Sequence, residues 1–539
     1  MKLKLHSESW KKLPWKKFRK NLFRLQHRIW KAVRAGDMVK ARSLQKLLLR
    51  SRAARFLAIR QVTQLNQGKK TAGVDGIKSL SFKQRFALDE ELRTHAHNWK
   101  SNELREIPIP KKDGTTRTLK VPTIKDRAWQ CLVKHAMEPA LEATFHARSY
   151  GFRPGRSAHD AQKVLFLNLK SNSNGKDKTI LELDIEKCFD RIDQRDLMGR
   201  VIAPQTIKQG LWRCLQAGVN PEFPGQGTPQ GGVISPLLAN ISLNGIEDIQ
   251  KSGYQQSRET SDCIRYADDM VFILKPGTSL TNVLDKVKEF LAIRGLNVKA
   301  AKTRVTASTD GFDFLGWHFK VQSNGKFRSI PSEENYKTFK AKVKHIVNNS
   351  NYGAKVKAEK LAPIIRGWRN YHRHCKMDGS RFSLSPIRLR AWKVFNKEAK
   401  QNRYTVSGLI KKAFPAISYS ENKHVNVRGD KSPFDGDLTY WSKRNSKLYD
   451  NATAKTLHKQ NHTCGHCDYP FIGEERVHLH HIDGNHANWK PKNLMAVHES
   501  CHDYIHMSNQ DCREPGAMKV ARPDLVRFVQ RRINNRCNS

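Results

Sequence analysis

A chain of 539 residues is too long for one hydrophobic core and predicts several units of ordinary domain size. Its 98 Lys and Arg against 50 Asp and Glu give a formal charge of +48, which would self-repel unless a polyanion such as nucleic acid neutralised it. No stretch approaches the roughly 20 apolar residues of a membrane helix and no apolar signal core opens the chain, so we expect no membrane association. The predicted location is bacterial cytoplasm or nucleoid, or an organelle matrix.

The ten cysteines indicate metal binding rather than disulfides. Five of them lie scattered in apolar or amphipathic segments. Three others, Cys464, Cys467 and Cys501, cluster near histidines. This distribution is typical of a reducing compartment.

Residues 1–75 are predicted to form basic helices. Apolar residues recur at helical spacing, as at Leu22, Ile29 and Val33, while Glu8 and Asp37 are the only acids among many cations in residues 1–60. Gly73 and Gly76 then interrupt the pattern with residues suited to turns. We therefore expect the first unit to end there.

Two acidic segments within residues 76–325, a predicted mixed α/β unit, point to metal-dependent nucleotide chemistry. Asp268 and Asp269 lie between two β-favouring runs, as at the tip of a hairpin, and Asp184 follows another candidate strand. Template-directed polymerisation needs two divalent cations, whose oxygen ligands come from carboxylates on neighbouring strands. Because Asp-Asp is also common in ordinary turns, this interpretation depends on the surrounding motifs.

Two further segments of this unit are suited to holding a nucleotide. The sequence GTPQGG at 227–232 is a tight turn that feeds a helix, with Ser235 as its expected N-cap and Pro236 at its first position. Residues 107–117 predict a hairpin with cations on both arms, among them Lys111 and Arg117, which suit a triphosphate. Lys302 and the sequence FLGW at 314–317 follow.

Residues 326–400 are predicted to be helical, with apolar and basic positions interleaved around Trp368 and Tyr371. Residues 401–456 are polar and irregular. A Cys/His cluster follows in residues 457–510, and residues 511–539 form a basic tail.

The Cys/His cluster has the spacing of a zinc ribbon. Cys464 and Cys467 form one pair, and His498 and Cys501 form a second pair with the same separation. The remaining residues follow the order His-His, Asn, His-x-x-x-His that is typical of an HNH nuclease. These residues are His480, His481, Asn493, His502 and His506.

The polymerase segments, in this order, resemble group II intron reverse transcriptases. The core of the resemblance is Asp184, GTPQG at 227–231 and YADD at 266–269, with 71–76 and 153–157 similar to the extra N-terminal block and the fingers block. The resemblance implies a multidomain α/β and α protein. Its expected parts are N-terminal helices with an extra fingers block (1–75), a right-hand fingers and palm (76–325), a helical thumb or X domain (326–400), a DNA-binding region (401–456) and a small ββα-metal HNH zinc domain (457–510).

The resemblance also implies roles for single residues in the polymerase. Two Mg²⁺ ions are expected on Asp184, Asp268 and Asp269. The expected nucleotide contacts are Lys111, Arg117, Phe189, Gln230 and Gly231. Phe189 would screen out a ribose 2′-hydroxyl, with a buried core aromatic as the alternative. Lys302 would donate a proton to pyrophosphate, with an ordinary phosphate or solvent contact as the alternative.

For the nuclease, the resemblance implies His481 as general base and Asn493 as an orienting amide. One Mg²⁺ is expected on His480 and His506, with His502 as a further candidate ligand. A structural Zn²⁺ is expected on Cys464, Cys467, His498 and Cys501. The alternative is a zinc module that only grips DNA.

Together these expectations describe an enzyme that uses intron RNA, target DNA and dNTPs. It would assist splicing, nick one DNA strand after the RNA has reverse-spliced into the other, and copy the intron RNA from the nick. The alternatives are a maturase that only promotes splicing and a host reverse transcriptase without an intron.

Overall fold

The structure is a computed structural model that describes residues 9–10, 12–110, 114, 116–218, 222–250, 262–377, 382–399, 403–429, 431–446, 449, 451–471, 477–499, 501–502 and 505–506. The chain divides into two compact units. The first unit comprises Met1–Asp450 and Ile472–Glu474, and the second comprises Asn451–Phe471 and Glu475–Ser539. None of the described helices is both long enough and apolar enough to cross a membrane.

The first unit begins with four helices: α1 (Trp15–Arg34), α2 (Met38–Arg50), α3 (Arg52–Arg60) and α4 (Phe82–His95). Side chains cap three of them, because Asp37, Ser51 and Ser81 each accept a hydrogen bond from the backbone N–H three residues later. The predicted helical spacing is confirmed, since Leu22 and Ile29 are buried on one side of α1. Basic residues occupy the exposed side.

A hairpin and a buried helix connect these helices to the palm. The hairpin pairs β1 (Arg105–Pro110) with β2 (Thr116–Val121) in antiparallel register. Helix α5 (Ile124–Glu142) starts at Thr123, whose side chain accepts from the Asp126 backbone N–H. Trp129 and Leu132 on α5 are fully buried in the largest hydrophobic core, which α1 to α4 also enter. The N-terminal helices therefore share a core with the palm.

The palm is a four-stranded antiparallel sheet made of β3 (Thr179–Leu183), β4 (Cys263–Tyr266), β5 (Asp269–Leu274) and β6 (Arg304–Ala307), in the order β4-β5-β3-β6. Its strands alternate between two cores, because Ile180 and Val271 face one cluster and Leu181 and Phe272 face the other. Burial on both faces explains the continuous apolar runs of these strands. The helices of this part are α6 (Ala158–Leu169), α7 (Cys188–Arg191), α8 (Gln194–Arg200), α9 (Gln205–Gln216), α10 (Ser235–Leu243) and α11 (Leu280–Ala292).

A three-stranded sheet and four helices follow the palm. The sheet consists of β7 (Phe312–Phe314), β8 (Trp317–Val321) and β9 (Phe327–Pro331). Helices α12 (Glu333–Asn348), α13 (Ala354–Tyr371), α14 (Ser385–Ala399) and α15 (Arg403–Ala413) have their own core, in which the rings of Phe339 and Trp368 stack at 4.4 Å. The bundle continues beyond residue 400, where the sequence suggested a boundary, because Val406 and Ile410 of α15 are buried in this core.

The segment that follows the bundle packs on the start of α6 and includes α16 (Leu438–Ser446). Asp160 is the centre of this contact. One carboxylate oxygen accepts from His424 at 3.0 Å and Arg444 at 2.7 Å, and the other accepts from Ser157. Burial opposes ionisation, but the hydrogen bond from His424 and the charge of Arg444 outweigh it and lower the pKa of Asp160 to about 2. Trp441, on α16, is also buried.

The second unit is small. It contains α17 (Asn451–Lys459) and an antiparallel hairpin of β10 (Val477–His481) and β11 (Leu494–His498). Glu499, Cys501, His502, Ile505 and His506 are helical. Few large apolar side chains are buried in its described part, among them Leu457, Phe471 and Leu494.

Candidate functional sites

The first site lies at one end of the palm sheet, where three aspartates meet. Tyr266 pairs with Asp269, so Ala267 and Asp268 form the two-residue turn between β4 and β5. Ala267 has a φ of 60° there, in the left-handed region. Leu183 pairs with the residue after Asp269, so Asp184 emerges from β3 beside the turn. The structure therefore brings Asp184, Asp268 and Asp269 together.

Asp268 and Asp269 resist ionisation when no cation lies beside them. Enclosure by the protein and the charges of Asp268 and Asp184 raise the pKa of Asp269 to about 6, although Asp269 stays accessible to solvent. Burial also raises the pKa of Asp268. The Lys302 ammonium lies 2.7 Å from an Asp184 carboxylate oxygen and lowers the pKa of Asp269. Three converging carboxylates are the oxygen ligands that Mg²⁺ prefers, so the residues fit that ion.

Arg265, which no sequence motif singled out, supports the turn formed by Ala267 and Asp268. Arg265 is completely buried, and its guanidinium donates to Glu247 at 2.6 Å, to Asn240 at 2.9 Å and to the Ala267 carbonyl at 3.0 Å. Burial would raise the pKa of Glu247, but the Arg265 charge outweighs it and the net shift is downward. The available signal was an arginine within an apolar strand, since buried arginines require acidic partners.

Gly151 closes the other side of the turn. A Cβ at this position would lie 2.3 Å from the Ala267 backbone nitrogen, which no side chain tolerates. Asn240 donates to the Gly151 carbonyl at 2.8 Å, so Arg265 and Gly151 share one partner. The turn that carries Asp268 is thus held by packing as well as by hydrogen bonds.

The predicted nucleotide contacts converge next to these acids. Arg117 on β2 donates to the Gln230 side chain, and the Lys120 backbone N–H donates to the Gln230 carbonyl at 2.7 Å. A Cβ on Gly231, whose φ is 122°, would lie 2.9 Å from the Lys120 carbonyl oxygen. The charge of Arg117 lowers the pKa of Asp268, so Arg117 lies close enough to interact with that carboxylate. Lys111 lies outside the described residues.

Phe189 lies on α7, five residues after Asp184. Its carbonyl accepts from the Thr228 backbone N–H at 2.7 Å, so its backbone is fixed against the glycine-rich turn. A Cβ on Gly227 would lie 2.8 Å from the Asp190 carbonyl, which explains the need for glycine in the turn. The Phe189 ring is half-buried and packs against the main core. Both its predicted role and the core alternative are compatible with this position.

The second unit contains a cluster of thiols and imidazoles. The ligand atoms of Cys464, Cys467, His498 and Cys501 lie within 4.8 Å of one another, and all four residues are buried. Hydrogen bonds with the thiols of Cys467 and Cys501 raise the pKa of Cys464 far above its usual range. His498 Nε2 lies 3.3 Å from the Pro470 carbonyl, which leaves Nδ1 for a metal. Tetrahedral nitrogen and sulfur ligands fit Zn²⁺.

Three imidazoles form a separate cluster between β10 and the following helical residues. The ligand atoms of His480, His502 and His506 lie within 4.8 Å of one another. Burial lowers the pKa of His480, and it lowers the pKa of His502 to about 4. Neutral imidazoles with free lone pairs are the form that binds a cation. Both His502 and His506 belong to this cluster.

His481 is the next residue on β10, so it projects to the opposite face of the hairpin. It is 6% exposed, and neither ring nitrogen has a hydrogen-bond partner within the described part of the chain. Its ring contacts His486 and Trp489, each at 5.1 Å between centroids. A buried imidazole with two unpaired nitrogens is costly unless a substrate or water uses them.

Asn493 shapes the loop between the two strands. Its side chain accepts from the Asp483 backbone N–H at 3.0 Å and donates to the Asp483 carboxylate and the Asn488 carbonyl, each at 2.9 Å. The amide therefore fixes the chain directly after His481. Asp483 and Asn488 were not among the predicted site residues, although a run rich in Asp and Asn is typical of such turns.

Comparisons with known proteins match most of the first unit. Residues 109–319 match the family "Reverse transcriptase (RNA-dependent DNA polymerase)", residues 10–92 match "N-terminal domain of reverse transcriptase", and residues 336–412 match "Group II intron, maturase-specific domain".

Individual relatives agree with these families. Maturase-like protein 1 of Euglena gracilis is 38% identical over 419 residues, which cover 76% of this chain and 89% of that protein. Its counterpart in Euglena longa is 36% identical over 408 residues, covering 75% and 87%. The group II intron-encoded protein LtrA of Lactococcus lactis subsp. cremoris is 36% identical over 152 residues, covering 27% and 24%.

Proposed function

This chain belongs to the group II intron reverse transcriptase and maturase family, and from that premise we propose that its second unit adds an HNH endonuclease that nicks target DNA. The family's activity is RNA-directed DNA synthesis, and its maturase domain acts with intron RNA.

In the polymerase, we assign Asp184, Asp268 and Asp269 as ligands of two Mg²⁺ ions. Bound there, the ions activate the primer hydroxyl and neutralise charge on the leaving pyrophosphate. Arg117 and Gln230, with Lys111, hold the triphosphate, and Gly231 lets the backbone approach it. Phe189 is the proposed filter against a 2′-hydroxyl. Lys302 is the proposed proton donor, and its ammonium already contacts Asp184.

The observation that carries the nuclease proposal is His481, which follows His480 on β10 and is buried with both ring nitrogens unpaired among the described residues. We assign it as the base that takes a proton from the attacking water. Asn493 fixes the chain after it. His480, His502 and His506 would hold one Mg²⁺, which stabilises the scissile phosphate and the leaving group. The zinc ligands would hold the unit together.

These activities combine into retrohoming. Intron RNA reverse-splices into one DNA strand, the nuclease nicks the other, and the polymerase copies the RNA from the new primer. A splicing-only maturase would need neither the three aspartates nor an unpaired His481. A host reverse transcriptase without an intron would be supported if the surrounding genomic DNA lacked a group II intron RNA fold.

The test compares His481→Ala with His458→Ala, which alters an exposed histidine on α17 of the same unit. Both full-length variants should retain zinc and extend a primer as the parent does. Only His481→Ala should lose nicking of a target duplex that carries the inserted intron RNA. Unchanged nicking by a folded His481→Ala protein would refute the nuclease and favour a DNA-gripping zinc module.

A further inference from the structure

The loop at 482–493, which joins β10 to β11 and is here called the Trp489 loop, exposes two large apolar side chains. Trp489 is 58% exposed and Ile482 is 43% exposed. Burial of such side chains is normally favourable, so a folded unit gains nothing from presenting them to water. Their exposure is better explained by a partner that covers them.

The loop presents these side chains on a rigid frame. The Asp483 carboxylate accepts from the Asn485 backbone N–H at 2.8 Å and from the Asn488 side chain at 2.7 Å. Asn493 adds its bonds to Asp483, and the Ile482 backbone N–H donates to the Asn493 carbonyl at 2.9 Å. A partner would therefore meet Trp489 with little further loss of conformational entropy.

The same loop touches the proposed catalytic base. The Trp489 ring meets the His481 ring edge to face, at 5.1 Å and 85°. Lys490 and Lys492 follow directly and are exposed. The only acid of the loop, Asp483, is occupied by internal hydrogen bonds. An exposed Trp489 next to two lysines is complementary to a step between stacked base pairs and to the phosphates on either side of it.

We propose that Trp489, supported by Ile482, inserts at a base step of the target duplex next to the phosphate on which His481 acts. This inference rests on the nuclease proposal and deepens it by naming duplex DNA, unstacked at one step, as the substrate form. Insertion would open the duplex and bring the scissile phosphate toward His481, while Lys490 and Lys492 contact neighbouring phosphates. No bond is made or broken by Trp489 itself.

The experiment places 2-aminopurine at successive base steps around the nick site of the target duplex. This base fluoresces more strongly when it is unstacked. The full-length protein, with its intron RNA, is compared with Trp489→Ala, Trp489→Phe and Trp212→Ala. Trp212, on α9 of the first unit, is 36% exposed and serves as a matched control. Zinc content reports whether each variant is folded.

We expect the parent, His481→Ala and Trp212→Ala to unstack one step next to the nick. Trp489→Ala should lose that signal and nick roughly tenfold or more slowly, the scale of one stacking contact. Trp489→Phe should retain most of both. A mismatch built into the same step should restore nicking by Trp489→Ala, because the duplex is then already open, and should not rescue His481→Ala.

Two failures remain distinguishable. If Trp489→Ala unstacks and nicks like the parent while His481→Ala is inactive, the insertion proposal is wrong and the nuclease stands. If the parent does not nick, or His481→Ala nicks like the parent, the nuclease proposal fails. If Trp489→Ala loses zinc, Trp489→Phe becomes the deciding variant. Loss of its unstacking signal with zinc retained would contradict insertion by Trp489, and a retained signal would support it. Unstacking of single-stranded RNA but not of the duplex would also overturn it.

Discussion

The polymerase acids and the histidine cluster of the second unit are held in different ways. The acids emerge from a sheet buried on both faces, and Arg265 and Gly151 fix their turn. Of the three histidines, His480 lies on a two-stranded hairpin and His502 and His506 are helical, and few large apolar side chains are buried in the described part of this unit. The first site is therefore formed by the protein core, whereas we expect the second to depend for its stability on the zinc proposed at Cys464, Cys467, His498 and Cys501.

Burial shifts the pKa values of the carboxylates and of the imidazoles in opposite directions. Enclosure by the protein raises the pKa of Asp268, and together with the neighbouring carboxylates it raises the pKa of Asp269 to about 6, so a proton competes with a cation at Asp269 nearly up to neutral pH. Burial lowers the pKa values of His480 and His502, so these imidazoles stay neutral and available at the same pH. Metal binding should therefore be more sensitive to mild acid in the polymerase than in the second unit.

The largest expected effect is loss of polymerisation in Asp268→Asn. The change removes one metal-binding charge and nearly preserves shape, so primer extension on an RNA template should fall by about 10³-fold or more. Asp177→Asn, at an exposed aspartate of the same unit, is the control and should extend normally. Unchanged extension by Asp268→Asn would contradict the assignment.

Next is Cys464→Ser, which should separate the two units. Structural zinc contributes about 10 kcal/mol or more to small domains, so this variant should lose zinc and the second unit should unfold. Protease sensitivity and metal content measure this, and primer extension should persist. His458→Ala should keep its zinc. If the second unit of Cys464→Ser stayed folded, its apolar core would be sufficient for folding and the proposed dependence on zinc would be wrong.

Arg265→Met tests whether the polymerase turn is held by more than packing. Breaking a buried pair should reduce the free energy of unfolding by about 3–5 kcal/mol, and adding Glu247→Leu should recover much of it. Both the single and the double variant lack the hydrogen bond to the Ala267 carbonyl and the positive charge of Arg265 near Asp268. Extension should stay roughly tenfold or more below the parent, with a higher Mg²⁺ requirement. Full recovery in the double variant would make the pair purely structural.

The smallest effect concerns pH. Since the pKa of Asp269 is raised to about 6, the proton must leave before a cation binds, and half-saturating Mg²⁺ should rise as pH falls from 8 through 6. Lys302 lowers this pKa, so Lys302→Met should move the curve to higher pH, by a few-fold in Mg²⁺ at pH 6.5. If half-saturating Mg²⁺ depends on pH identically in the parent and in Lys302→Met, Lys302 does not act on Asp269. Lys299→Met is the control on the same segment.

The sequence predicted the roles of Asp184, Asp268 and Asp269 only together with the neighbouring GTPQG and YADD segments, because the order of these segments resembles that of group II intron reverse transcriptases. It likewise indicated the helical N-terminus and bundle, since their periodicity is local. The ligand spacing of Cys464, Cys467, His498 and Cys501 was readable for the same reason, and the structure brings the four together. Helical periodicity and the spacing within each Cys/His pair lie in short stretches of chain, whereas Asp184 lies far from Asp268 in the sequence and was recognised only from the order of the motifs.

Tertiary structure alone decided which distant residues support these sites. Arg265 meets Glu247 and Asn240 only through folding, and Asp160 joins His424 and Arg444 across more than 260 residues. The exposure of Trp489 beside His481 was equally invisible, because a tryptophan in a sequence is expected to be buried. Hydrogen bonds and burial between remote segments leave no periodic pattern, so only the folded chain reveals them.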